Sequence, residues 1–270
     1  MAMPVPNTVT SAVHEAGKQM ITIGSDKTGI NTDELEQVCK EHKVGIVCIS
    51  SRAPFPSDCI ISDKKMDHLL VLQKIYGFLI FFNDAYPVPH TSHSRIYNEM
   101  SINPDMVYLG PLSLLDASLY GISILIAREP KMKKIQKKFI GPGRLVEPKL
   151  VYATIHLQMK GQISWYERRD YKAIKLVYNA AVQALRASGL WKEEGLDSAI
   201  GWVCYLEPRI GALPPNAFEL LSSQNIFVFD PEKFNGGPEF KKGIAISVYA
   251  FICLNSFHFS RIDLDLFRLT

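Results

Sequence analysis

The stretch "SDKKMDHLLVLQKIYGFLIFFN", Ser62 to Asn83, sets the pattern for the first half of this chain. Ser62 is a typical helix-capping residue, and apolar side chains then recur at Met66, Leu69 and Leu70 with the spacing of one helix face. The run "GFLIFFN" that follows is almost wholly apolar, which is typical of a buried strand. The sequence therefore predicts a helix that leads directly into a strand.

The same alternation continues on both sides of this stretch. Upstream, "NTDELEQVCKEH" (31–42) offers Asn31 or Thr32 as a cap and predicts a short helix, and "KVGIVCIS" (43–50) predicts a buried strand. Downstream, "GISILIA" (121–127) predicts another buried strand. Because helices and strands alternate, we expect an α+β fold, with mixed or antiparallel twisted sheets, packed helices and two subdomains.

Four chain-breaking residues within eight positions mark the strongest candidate domain boundary: Gly141, Pro142, Gly143 and Pro148. After it, alternation in "KLVYATIHLQMKGQISWYE" (149–167) predicts strands, and "RDYKAIKLVYNAAVQALRAS" (169–188) predicts a helix that ends at Gly189. "AIGWVCYLE" (199–207) and "KGIAISVYAFICLNSF" (242–257) are strand-like. We predict a flexible lead-in (1–20), an α/β subdomain (21–129), a basic linker or surface segment (130–148) and an antiparallel sheet with a helix (149–270).

The basic segment carries the most distinctive charge pattern in the chain. Residues 130–149 hold seven basic side chains against Glu147, although the whole chain has a formal net charge of only +3. The remaining residues therefore sum to −3, so the positive charge is local. If the segment is helical, Met132, Ile135 and Phe139 share one side, and we expect them to insert shallowly into a membrane. The candidate membrane- or phosphate-binding residues are Lys131, Lys133, Lys134, Lys137, Lys138 and Arg144.

Other candidate sites are weaker. Asp263 and Asp265 are two residues apart, so on a strand both carboxylates share a face and form a possible metal site, but a half-exposed edge strand explains the pattern better. "GSDKTGIN" (24–31) lacks the Lys-Ser/Thr pair of a phosphate-binding loop directly after its second glycine, which favours an ordinary turn. We predict no catalytic residue, no resident metal and no cofactor.

Cysteine usage and hydropathy indicate the compartment. The five cysteines are odd in number, form no C-x-x-C pair, and several lie in apolar runs, which predicts reduced buried thiols. The longest uncharged apolar run, residues 243–254, has twelve residues, well short of the ~20 that span a bilayer. We therefore expect an intracellular protein.

The C-terminal half resembles the rhabdovirus matrix proteins over residues 149–256. The resemblance rests on the strand, turn and helix of residues 149–185 and on "DPEKFNGGPEFKKGIAISVYAF" (230–251). It implies a twisted antiparallel sheet with packed helices in a protein that coats the inner face of a viral envelope. The chain lacks the family's lysine-rich N-terminal arm and its Pro-Pro-x-Tyr motif, so the basic site is transferred by charge alone.

These observations lead to one principal hypothesis and two alternatives. The principal one is a non-enzymatic viral matrix protein that binds anionic membrane peripherally, self-associates and links to a nucleocapsid, in the host cytoplasm and in the virion. The first alternative is an RNA- or other nucleic-acid-binding protein that uses the same lysines. The second is a metal-dependent α/β enzyme that acts on a phosphorylated substrate through Asp263 and Asp265.

Overall fold

A computed structural model shows helices and strands interleaved along the chain. It describes residues 7–26, 28–51, 60–84, 94–111 and 123–139, and near the C-terminus 175–176, 178–180, 182–183, 185–192, 203–213, 216–219 and 243–247. The elements are α1 (Asn7–Glu15), β1 (Ser25–Asp26), β2 (Gly29–Ile30), α2 (Thr32–Glu41), β3 (Ile46–Ile49), α3 (Asp63–Tyr76), β4 (Leu79–Asn83), α4 (Ser94–Ile102), β5 (Met106–Pro111), β6 (Ser123–Ala127), α5 (Glu129–Phe139), β7 (Val203–Leu206) and β8 (Ile244–Ser247).

The chain divides into two compact units, and each is discontinuous in sequence. The sheet unit comprises Asn31–Arg52 and Ser62–Lys172, and the terminal unit comprises Met1–Ile30, Ala53–Ile61 and Ala173–Thr270. The division into four segments that we predicted above is not tested by this partition and stays a prediction.

Local chemistry fixes the start of α2 and both ends of α3, the two best-defined helices of the sheet unit. The side chain of Asn31 accepts hydrogen bonds from the backbone N–H groups of Asp33 and Glu34, which begins α2. Ser62 accepts one from the N–H of Lys65 and so begins α3. Gly77 ends α3 in the left-handed conformation at φ 72°, where an L side chain would be strained. Both predicted helices and both predicted caps are confirmed.

Four strands of the sheet unit form one mixed sheet in the order β3-β4-β5-β6. β3, β4 and β5 run parallel, and the register pairs Ile49 with Phe82 and Phe82 with Tyr108. β6 returns antiparallel to β5, with Ile126 opposite Tyr108. Parallel neighbours need a crossover connection, and α3 lies in the connection between β3 and β4, as α4 does between β4 and β5.

The core of the sheet unit lies between this sheet and its helices. Ile80, Phe82 and Met106 are fully buried on the strands, and Leu69 on α3 is buried as completely. Gln73, in the last turn of α3, donates from its side-chain amide to the backbone oxygen of Asp105, just before β5, at 2.9 Å. This contact fixes α3 against the amino ends of the strands.

The terminal unit contains short antiparallel pairs. β1 and β2 form a tight hairpin in which the backbone N–H and the hydroxyl of Thr28 both donate to the Asp26 carboxylate. Gly29 sits at φ 104° with a close approach to Ile61, so this position needs glycine. The ordinary turn predicted at residues 24–31 is therefore confirmed. β7 pairs antiparallel with β8, in register from Val203 opposite Ser247 to Leu206 opposite Ile244.

The predicted α+β class, with a mixed sheet and packed helices, is confirmed. Residues 149–167 and the end of the segment 242–257 lie outside the described residues. The described helical residues between 175 and 188 agree with the predicted helix, and Gly189 follows them at φ 66°. None of the helices in the described part of the chain has the length and hydrophobicity needed to cross a bilayer.

Candidate functional site

The carboxyl ends of the three parallel strands meet at one end of the sheet. In open α/β sheets this is where ligands bind, in the crevice outside the strand ends. The residues there, which we call the carboxyl edge, are Ser50, Ser51, Asn83, Asp84, Gly110 and Pro111. A ligand site is therefore expected at this end of the sheet.

A serine and an aspartate join the ends of β3 and β4. The backbone N–H of Ser51 donates to Oδ1 of Asp84 at 2.7 Å, and the Ser51 hydroxyl donates to Oδ2 at 2.5 Å. Beside them, the Ser50 hydroxyl donates to the backbone oxygen of Asn83 at 2.7 Å. The backbone N–H of Asp84 donates to the carbonyl of Leu109 on β5 at 2.9 Å. Hydrogen bonds therefore join the end of β3 to that of β4, and the end of β4 to β5.

Asp84 is the most unusual residue of the carboxyl edge, because a carboxylate is rarely buried. Only 2% of Asp84 and 1% of Ser51 is exposed. Burial of a carboxylate is costly unless hydrogen bonds or an opposite charge compensate it, and Ser51 supplies two such bonds. A group of this kind can orient and pair with a cationic nitrogen of a ligand.

Tyr108 brings a phenol group toward the same end of the sheet. Its ring lies over Gly110, two residues further along β5, and a Cβ at Gly110 would collide with the ring and its hydroxyl. Because side chains alternate along a strand, Tyr108 and Gly110 share a face. Phe82 is in register with Tyr108 and Asp84 is two residues beyond Phe82, so Asp84 continues on that face. The absence of a side chain at Gly110 thus leaves room for the Tyr108 phenol.

Two other polar clusters of the sheet unit tie its elements together. His68 on α3 places Nδ1 2.9 Å from the hydroxyl of the buried Thr32, and its ring nitrogens lie 3.7 Å from carboxylate oxygens of Asp33 and Glu36 on α2. Gln73 and Asn103 bond to each other through their side-chain amides. Both clusters link one element to another, and neither lies at the carboxyl edge.

The predicted basic residues are partly described, on the helix α5. Lys131 pairs with Asp105 at 2.5 Å and Lys133 pairs with Glu129 at 2.6 Å, while Lys134 and Lys137 are exposed. Met132 and Ile135 are half-buried. The side chains of Lys138 and Phe139, and all of Arg144, lie outside the described residues. The structure therefore does not test whether these residues bind an anion, and that role stays a prediction.

The carboxylate pair Asp263 and Asp265 also lies outside the described residues. Among the residues that are described, no group of three or more His, Cys, Asp or Glu side chains is arranged to hold a metal ion.

Comparison with known proteins connects this fold to one group of enzymes. No protein-family model matches the chain, and neither does any curated protein. Solved structures do match. LysN, an α-aminoadipate aminotransferase from Thermus thermophilus, gives a TM-score of 0.76 at 17% identity over 92% of this chain. The chain has the aminotransferase fold.

Two further aminotransferases support the assignment of the fold. A multiple substrate aminotransferase from Thermococcus profundus gives a TM-score of 0.75 at 16% identity, and the histidinol-phosphate aminotransferase from Clostridium acetobutylicum gives 0.73 at 13%. Each match covers 92% of this chain. The chain spans 64% of LysN, 63% of the Thermococcus enzyme and 71% of the Clostridium enzyme. It therefore corresponds to about two thirds of these proteins.

These matches overturn the resemblance to rhabdovirus matrix proteins. The solved structures compared above are aminotransferases, as are an archaeal alanine:glyoxylate aminotransferase and a kynurenine aminotransferase from Pyrococcus horikoshii that also match. The resemblance failed because alternating strands beside an amphipathic helix report which faces are buried, and many unrelated folds share that pattern.

The functional predictions that depended on the resemblance are wrong as well. The matching structures are enzymes, which contradicts a non-enzymatic matrix protein with membrane lipid and a nucleocapsid or RNA as partners. The predicted self-association is not contradicted by these matches and stays a prediction. Location in a virion or at the inner membrane face is unsupported for the same reason. The RNA-binding protein and the metal-dependent enzyme do not match this fold either.

Sequence reasoning did not find the carboxyl edge. Ser51 and Asp84 are 33 positions apart, and neither belongs to a motif that signals chemistry by itself. One signal was available: polar residues directly follow the apolar runs "IVCI" and "LIFF", and strand ends in a parallel sheet converge. That signal depends on knowing that the strands are parallel.

Proposed function

We propose that this chain forms part of an enzyme that acts on amino compounds, and that its ligand binds at the carboxyl edge. Two observations support the proposal. The fold is similar to that of several aminotransferases over 92% of the chain. A buried carboxylate, Asp84, also lies at the end of the sheet where open α/β folds bind ligands. The buried carboxylate is the observation that carries the proposal.

The chemistry of the carboxyl edge favours a ligand that contains a positively charged nitrogen. Asp84 is an acceptor when ionised, and an opposite charge nearby would stabilise its charged form. An ammonium group or a protonated ring nitrogen would provide that charge. The phenol of Tyr108 adds a group that can both donate and accept a hydrogen bond on the same face.

Pyridoxal phosphate is the cofactor that the comparison with these structures suggests. LysN was solved with N-(5'-phosphopyridoxyl)-L-leucine, and the kynurenine aminotransferase of Pyrococcus horikoshii with PMP. Enzymes that use pyridoxal phosphate join it to a lysine as a Schiff base and pair its ring nitrogen with an aspartate or arginine. Asp84 suits the second role, but no lysine follows β3, β4 or β5 closely. The carboxyl edge therefore does not fit a lysine-linked cofactor.

We also propose an intracellular location. Among the described residues Cys39 and Cys48 are free and buried, and reduced thiols are typical of proteins from reducing compartments.

Ligand binding by the purified chain tests the proposed function. L-Amino acids, pyridoxal phosphate and pyridoxamine phosphate would be screened by thermal shift, and the compounds that raise Tm would be titrated by calorimetry. We expect at least one to bind. Asp84→Asn should then weaken its Kd by about tenfold or more, equivalent to ~1.4 kcal/mol, because the variant loses the negative charge.

Asp105→Asn is the matched control, since Asp105 lies at the amino end of β5 and pairs with Lys131. It should leave the Kd unchanged. If none of the compounds binds, or if Asp84→Asn binds as tightly as the unmodified chain while retaining its fold, the proposed function is wrong.

A further inference from the structure

We propose that the carboxyl edge holds its ligand without a covalent lysine link, so that an aldehyde ligand such as pyridoxal phosphate is bound there reversibly. This inference rests on the proposed function, because it concerns the same ligand site. It goes further by stating how the ligand is retained, and by setting this chain apart from enzymes that anchor pyridoxal phosphate to a lysine.

The first argument is the distribution of lysines around the strand ends. The segments that directly follow the three parallel strands are residues 50–62, 84–93 and 112–122, and none of them contains a lysine. The four strands of the sheet contain none either. The side chains that the sheet itself delivers to the carboxyl edge therefore include no amine.

The second argument is that described lysines of the sheet unit lie at the amino ends of its strands. Lys43 comes just before β3, at its amino end. Lys131 is held by Asp105, just before β5. β5 has six residues, so roughly 20 Å of strand separates Asp105 from the carboxyl edge. A lysine side chain is too short to cross that distance.

Among the lysines that the structure describes, Lys64 and Lys65 are the strongest rivals to this inference. They lie on the first turn of α3, and α3 begins at the end of the connection that leaves β3. Lys64 is exposed and Lys65 is half-buried. The experiment must therefore identify the modified lysine and include a variant in which Lys65 is removed.

Reductive trapping distinguishes the two modes of binding. A Schiff base joins lysine Nζ to the aldehyde carbon with loss of water, and borohydride then adds hydride to the C=N bond and fixes the link. The full chain would be loaded with pyridoxal phosphate, treated with borohydride and examined by intact mass and peptide mapping. We expect titration to detect binding and dialysis to remove the ligand. The unmodified chain should form no more saturable adduct than a Lys65→Ala variant does.

A gain of attachment provides the positive test. Residues 112–114 follow β5 directly, so Leu112→Lys, Ser113→Lys and Leu114→Lys would each add an amine close to the carboxyl edge. We expect at least one variant to form a borohydride-stable adduct on the new lysine. Lys134→Arg, on the exposed surface of α5, is a control that should behave like the unmodified chain.

The outcomes separate this inference from the proposed function. A saturable adduct on Lys65 or another native lysine would overturn the inference and leave the proposed function intact. If the ligand binds reversibly but none of the three variants forms a borohydride-stable adduct, the ligand lies elsewhere and the inference is also overturned. If neither pyridoxal phosphate nor any amino compound binds, the proposed function fails and the inference fails with it.

Discussion

At the scale of single residues, the buried thiol of Cys48 shows how position sets chemistry. Cys48 lies on β3 with its side chain in the core, and burial raises its pKa from an ordinary value near 9 to about 11. Burial, together with the nearby charge of Glu36, also raises the pKa of Cys39 on α2. Since the thiolate is the reactive form, both thiols should be inert near neutral pH.

The pKa of Cys48 predicts a loss of stability in alkaline solution. Below pH 9 the folded and unfolded states both keep the proton. Between pH 9 and 11 the unfolded thiol loses it and the folded one does not, so the free energy of unfolding falls as pH rises, by about 2–3 kcal/mol. Denaturant titrations of the unmodified chain and of Cys48→Ala at pH 8 and pH 11 would measure the difference.

Other groups titrate in the same range, but they are common to both proteins. The fall in stability should therefore be smaller in Cys48→Ala by that amount. Equal falls in the two proteins would contradict the raised pKa of Cys48.

At the scale of elements, short-range chemistry decides where helices begin and end. Asn31 caps α2 with two hydrogen bonds of 3.2 Å. Acidic residues follow in the first turn, where their negative charges interact favourably with the helix dipole. This information is local, so the sequence predicted both the helix and its cap. α4 and β5 were not predicted, and the identity of β5 depends on its pairing with β4 and β6, which no short-range pattern reports.

The cap of α2 gives a prediction at this scale. Asn31→Ala should lower the free energy of unfolding by about 1 kcal/mol, because two backbone donors lose their acceptor. Urea denaturation followed by circular dichroism would measure the change. Asn31→Ser is the matched control, since serine retains a side-chain oxygen and should restore most of the stability. A loss as large in Asn31→Ser as in Asn31→Ala would show that the cap is not the cause.

At the scale of the whole molecule, stability depends on the layer between sheet and helices. Phe82 on β4 is fully buried and pairs in register with Ile49 and Tyr108. Val71, on α3, is by contrast 51% exposed. Truncation of a buried aromatic ring removes its transfer free energy and leaves a cavity, whereas truncation at an exposed position does neither to a comparable extent.

Phe82→Ala should therefore reduce the free energy of unfolding by about 3–5 kcal/mol. Val71→Ala, made and measured in parallel by chemical denaturation, should change it by about 0.5 kcal/mol or less. Similar losses in both variants would contradict the described position of Phe82 in the core.

The sequence by itself determined the helices α2 and α3 with their caps, the apolar strands β3, β4 and β6, and the α+β class. These depend on periodicity and on contacts within a few residues. Only the tertiary structure decided that β3, β4 and β5 are parallel, and hence that Ser51 and Asp84 meet at one end of the sheet. An apolar strand has the same pattern in a parallel or an antiparallel sheet, so the composition of its run does not reveal the direction of its neighbours. The candidate site exists because the strands run parallel. For this reason the sequence indicated the charged helix α5 as a candidate site and did not indicate the carboxyl edge.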